Sequence, residues 1–124
     1  MESRRILVVD DDPDILTLVK LSLEVLHGWH VLTASNPVEG VRLAAAGAPE
    51  VVLLDMSFPG TDGLDVLKQL QSAEATSRLP VVLVSGRVTS ATRKDLLASG
   101  ATGVIEKPYD PDHLADELKA MLGW

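Results

Sequence analysis

Short β-branched runs alternate with amphipathic stretches along the whole chain, and this alternation constrains the fold more than any other feature. Ile6 to Val9 reads as a first strand. Pro13 to Leu26 follows as a helix, with Pro13 in the first turn and Asp12 as N-cap. Its apolar face carries Ile15, Val19, Leu23 and Leu26, flanked by Leu18, Leu21 and Val25, a stripe wide enough to pack on a sheet and on a second element. His30 to Ala34 is a second strand, and Asn36, Pro37 and Glu39 open a second helix that ends near Gly47. Val51 to Leu54 is a third strand, and Asp62 caps a third helix bearing Leu64, Leu67 and Leu70. Pro80 to Val84 is a fourth. The helix from Ser90 to Ser99 has a thin apolar face (Ala91, Leu97, Ala98) and is expected to be the loosest. Gly103 to Glu106 is a fifth strand, and Asp110 and Pro111 start a last helix with Leu114, Leu118, Met121 and Leu122 at helical spacing. Such a β-then-α alternation specifies an α/β chain: a five-stranded parallel sheet, doubly wound, with helices on both faces.

The bulk chemistry agrees with one domain spanning residues 1–124. The chain is 46% hydrophobic but only 3% aromatic, so its core must be aliphatic. It has no cysteine, which excludes disulfides and thiolate metal sites. Eighteen acids against 11 bases give a net charge of −7 with no basic stripe, which argues against gripping nucleic acid through its phosphates. No apolar run approaches a membrane span, and the opening MESRRILVV turns polar too soon for a leader, so a cytoplasmic location with no membrane contact is expected.

The polar residues fall at informative places on this scaffold. ILVVDDD puts Asp10 and Asp11 at the carboxyl end of the first strand, and VVLLD puts Asp55 at the end of the third. VVLVS places Ser85, and GVIEKP places Lys107, at the ends of the fourth and fifth. In the strand order 2-1-3-4-5 the direction of winding reverses between strands one and three, where the three acids would meet and where open α/β sheets bind ligands. Three crowded carboxylates need compensation, and a hard cation such as Mg²⁺ supplies it. A cation, an ammonium and a hydroxyl aimed at one carboxylate make a device for stabilising a phosphoryl group in transfer, with Asp55 as the nucleophile.

Taken together, ILVVDDDPD, LLDMSFPGTDG, VVLVSG and EKPYD resemble the response-regulator receiver domain, the family of the bacterial chemotaxis regulator, over essentially the whole chain. The resemblance implies a flavodoxin-like (βα)5 fold and a phosphoacceptor role in two-component signalling. It implies that Asp55 accepts a phosphoryl group from a phosphohistidine on a sensor histidine kinase or a histidine phosphotransfer protein. Asp11 would bind Mg²⁺ directly, Asp10 largely through water, and the Ser57 carbonyl would complete the protein ligands with Asp55. Lys107 would pair with the phosphoryl oxygens, Ser85 would hydrogen-bond one of them after transfer, and the Lys107–Pro108 bond would be cis. A downstream effector protein or domain, or a homodimer through helices four and five or through helix one, would read the change. Such a module catalyses only its own phosphorylation and dephosphorylation and is not an enzyme with a separate substrate.

The sequence also departs from the family. Val104 stands three residues before Lys107, where many receivers carry Tyr or Phe, so an aromatic rotation coupled to the hydroxyl has no counterpart. Tyr109 reads as packing beside the last helix. Arg87, two residues past Ser85, is either a tuner of phosphate lifetime or a solvated side chain. His27, His30 and His113 lie far apart, Trp29 and Trp124 read as local packing or chain-end residues, and Trp124 reads equally as an interface anchor. An aspartyl-nucleophile phosphatase is one rival, but such enzymes place a second acid two residues past the nucleophile, and here that residue is Ser57. A receiver-like module that binds a partner without phosphate is the other; its usual mark, a missing acid or lysine, is not present.

Overall fold

The structure, a computed structural model, describes residues 3–124. The first two residues of the opening stretch, Met1 and Glu2, lie outside the described residues. In chain order the elements are β1 (Arg5–Val9), α1 (Pro13–His27), β2 (His30–Ala34), α2 (Pro37–Ala46), β3 (Val51–Asp55), β4 (Ser57–Phe58), β5 (Thr61–Asp62), α3 (Gly63–Ser72), β6 (Val81–Ser85), α4 (Ser90–Ala98), β7 (Gly103–Glu106) and α5 (Pro111–Leu122). The main sheet is parallel, in the order β2-β1-β3-β6-β7. Counting only its own strands, this is the expected 2-1-3-4-5. The two extra strands, β4 and β5, pair antiparallel inside MSFPGTDG, the connection between β3 and α3. Gly60, at φ +72°, makes that turn, a backbone conformation most side chains avoid.

Strand alternation divides the core in two. Ile6 and Val8 of β1, Val51 and Leu53 of β3, Val82 and Val84 of β6 and Ile105 of β7 face α1 and α5. Leu7, Val9, Val52, Leu54, Val81, Leu83 and Val104 face α2, α3 and α4. Every residue of β3 is buried because it is covered on both faces and flanked by strands on both edges.

The helices start where their caps place them. Asp12, Asn36, Asp62 and Asp110 each accept a first-turn backbone N–H, and Gly28 ends α1 in the left-handed conformation. Two expectations about helix faces need correction. On α1, Val19 and Leu23 are buried and Ser22 ties the helix to α5 through Pro111 O and Asp112 Oδ1. Leu18, Leu21, Val25 and Leu26 are exposed, because a helix seated on a sheet with one helical neighbour covers only part of so wide a stripe. On α4, Leu96 is the buried residue, whereas Ala91, Leu97 and Ala98 are exposed. The Thr89 capping box fixes where the first turn begins, and successive helix residues point about 100° apart, so Leu96 and Leu97 cannot share a face. The thin packing expected of α4 holds, with a different leucine supplying it.

Trp29 is buried at the amino-end edge of the sheet, and Trp124 meets it edge-on at 5.7 Å between ring centroids. Arg4 lies over the Trp124 ring at 4.3 Å. Both tryptophans therefore do local packing, as read. Among the described residues no helix is long and apolar enough to cross a membrane.

Candidate functional site

The same alternation that builds the core aims the polar residues. Asp10 continues the parity of Ile6 and Val8, Asp55 that of Val51 and Leu53, and Lys107 that of Ile105, so all three turn toward the α1 and α5 side. Backbone bonds extend the sheet far enough to keep them in register: Asp10 N–H donates to Ala34 O, and Lys107 N–H donates to Ser85 O.

There the acids meet. Asp10, Asp11 and Asp55 bring carboxylate oxygens to within 4.8 Å of one another; Asp10 and Asp55 are buried and Asp11 is exposed. Lys107 Nζ donates to Asp55 Oδ2 at 2.8 Å, and the Ser57 N–H donates to Asp55 Oδ1 at 3.0 Å, so both oxygens of Asp55 are held. Asp10 Oδ1 accepts from the Asp12 N–H at 2.9 Å. Burial pushes the Asp10 carboxyl above its ordinary range, against that hydrogen bond, and the nearby Asp55 adds to the rise. The acids, Ser57 and Lys107 line a cavity of about 300 Å³ that opens to solvent.

Four residues of this cavity were not assigned to it from the sequence: Asp12, read as a helix cap, Pro108, read for its cis bond, and Ile15 and Tyr109. Ile15 and Tyr109 form apolar walls beside the acids. Tyr109 also packs on the α1 and α5 core, as expected, but burial and the neighbouring charges of Asp10 and Asp55 push its phenol up to about 12. Proximity to Lys107 in sequence was the available signal. The Lys107–Pro108 bond is cis.

Ser85 is the expected residue that the cavity does not include. It has the parity of Val81 and Leu83, which face the α2, α3 and α4 side. Its Oγ donates to Arg87 O at 3.3 Å, inside its own loop. Val104 is 1% exposed within the core, and the Arg87 side chain is exposed. The three histidines are not part of the site; His113 Nδ1 lies 3.6 Å from Asp110 Oδ2 at the start of α5.

The donor set is all oxygen, anionic and convergent, which suits a hard divalent cation and excludes a soft one. A doubly wound parallel sheet with such a cluster at the carboxyl edge, where the winding reverses, defines a flavodoxin-like α/β protein with an acid-and-lysine site. More particularly, residues 6–119 match the model of the response regulator receiver domain, and the chain belongs to that family. It is 36% identical over 118 residues to Protein PilH of Pseudomonas aeruginosa, covering 95% of this chain and 97% of that one. It is likewise 36% identical over 115 residues to the transcriptional regulatory protein KdpE of Mycobacterium tuberculosis, covering 93% of this chain but 49% of KdpE. The chain thus spans about half the length of that regulator. Among solved structures, the CheY-like receiver domain protein of Methanospirillum hungatei superposes with a TM-score of 0.84 at 28% identity, over 98% of this chain and 95% of that one. Vibrio cholerae CheY4 reaches 0.87 at 24% identity over 97% and 99%, a likeness of fold. Receiver domains are signalling domains of two-component systems.

Proposed function

We propose that this chain is a Mg²⁺-dependent phosphoacceptor acting as a single receiver unit in the cytoplasm, with Asp55 as the acceptor. One observation carries the reading: a buried carboxylate, Asp55, lies within 4.8 Å of two further acids and 2.8 Å from a lysine. No packing role requires that concentration of charge at the end of a buried strand.

Asp10, Asp11, Asp55 and the carbonyl of Ser57 would hold the ion. When bound, Mg²⁺ supplies positive charge that offsets the crowded acids and the transferring phosphoryl group. The Ser57 N–H orients the Asp55 carboxylate through Oδ1. A carboxylate oxygen of Asp55 attacks the phosphorus of a phosphohistidine on a sensor kinase or a histidine phosphotransfer protein. The P–O bond forms as the P–N bond breaks, and the released imidazole nitrogen takes a proton from solvent. Lys107 keeps its ammonium beside the phosphoryl oxygens. Ser85 then turns from Arg87 O to donate to one of those oxygens, and the loop it leads moves with it. The new charge is read by a partner, either an effector protein or an appended effector domain such as a transcriptional regulator would carry, or by a second copy of the chain.

Intact-mass measurement after incubation with Mg²⁺ and acetyl phosphate tests this. The native chain is expected to gain one phosphoryl group, and Asp55→Asn, or the native chain with a chelator, to gain none. If the native chain stays unmodified with Mg²⁺ present, the domain binds its partners without phosphate.

A further inference from the structure

Ser85, Val104 and Glu106 share one sheet face, the one that carries α4. On that face one hydrogen bond folds the leading loop on itself, and two more hold the loop and the helix against the edge strand β7. Ser85 Oγ donates to Arg87 O at 3.3 Å. The Val88 N–H donates to Glu106 Oε1 at 3.4 Å. Arg93 Nη1 donates to Val104 O at 2.9 Å. The Thr89–Thr92 capping box ties the loop to the first turn of α4. Apolar packing adds little on this helix, since Leu96 is its one buried residue, with Val88 partly buried beside it. Val104 is enclosed and has no ring to turn.

We propose that Glu106 and Arg93 are positioning residues that hold the Ser85 loop in a withdrawn state, and so set how tightly the acid pocket retains a phosphoryl group. The inference rests on the phosphoacceptor reading above. Strand parity aims Ser85 away from Asp55, so its hydroxyl reaches the pocket only when residues 86–89 shift. That shift takes the Val88 N–H off Glu106 and, through the capping box, draws Arg93 from Val104 O. Both bonds are made only in the withdrawn state, so each raises the cost of the phosphoryl-holding one. A carboxylate and a guanidinium thus occupy the control position that an aromatic side chain at residue 104 would otherwise fill.

Glu106 and Arg93 are exposed, so their replacement leaves the core intact. The full chain is titrated with beryllofluoride in saturating Mg²⁺, following the backbone amides by NMR. Glu106→Leu and Arg93→Met are each expected to bind roughly threefold to tenfold more tightly than the native chain, the range set by one modest hydrogen bond. Glu106→Gln, which keeps an acceptor oxygen, is expected to stay within about twofold of native. Adding Ser85→Ala to Glu106→Leu is expected to abolish the gain, which general loosening of the fold would not do. Native-like or weaker binding by both single variants overturns the proposal, as does a gain that survives Ser85→Ala. A native chain that binds no beryllofluoride overturns the phosphoacceptor reading and this proposal with it.

Discussion

At the scale of single residues, Asp10 is a carboxyl buried among like charges. It is 3% exposed, its proton affinity is raised chiefly by burial, and its one backbone donor, Asp12 N–H, is retained if Asn replaces it. A carboxyl that holds its proton more tightly folded than unfolded favours folding at low pH. That advantage is full below the ordinary value of 3.8 and is lost as pH rises through the folded value. At neutral pH the metal-free protein therefore carries the whole cost of an ionised Asp10. Asp10→Asn is expected to raise the Tm of the metal-free chain by roughly 2–5 °C at pH 7. In thermal melts this gain should shrink as the pH approaches 4. A gain that is constant with pH would assign the stabilisation to something other than charge. Ser85 shows that a strand-end position and a side-chain direction are separate readings. Its position at a strand end was legible, but its direction follows from period-two alternation with Val81 and Leu83, and that parity was in the sequence to be counted.

At the scale of elements, the strand and helix order was legible because β-branched runs and helical spacings are local signals, and each helix start carried a side-chain cap. The rest depended on partners distant in sequence. Which α4 leucine enters the core depends on the phase that Thr89 imposes, and how much of α1 is covered depends on α5. The β4–β5 pairing is too short to have a period at all. One close approach beside the site is also invisible in sequence. A Cβ built on Gly63, the first residue of α3, would meet Met56 Cα at 2.9 Å. Met56 cannot retreat freely, because its N–H donates to Val84 O at 3.0 Å. Alanine ordinarily improves a helix by up to about 1 kcal/mol over glycine. Here overpacking against backbone, at about 1–3 kcal/mol, should outweigh that gain. Gly63→Ala is expected to lower stability in a denaturant melt; an increase would show that the β4–β5 hairpin yields.

At the scale of the whole molecule, the sheet separates two chemistries. Its carboxyl edge holds three clustered acids against the one ammonium of Lys107, and its amino edge holds aromatic and cationic packing. Repulsion stored at the first edge makes stability depend on the medium. Millimolar Mg²⁺ is expected to raise the Tm in proportion to the logarithm of its concentration above Kd, and a chelator to reverse the rise. Asp11→Asn should blunt that response, and an equal response in the variant would place the ion elsewhere.

The aromatic end has a practical consequence of its own. The chain has only two indoles, Trp29 and Trp124, and they meet edge to face at the sheet edge opposite the acids. Indole emission, excited where Tyr109 does not absorb, will therefore follow unfolding, or a disturbance of the Arg4 and Trp124 contact, and will be silent to cation entry at the far edge. A fluorometer needs a dye attached near the acid pocket to watch it, and the native glow becomes the internal reference for an intact fold.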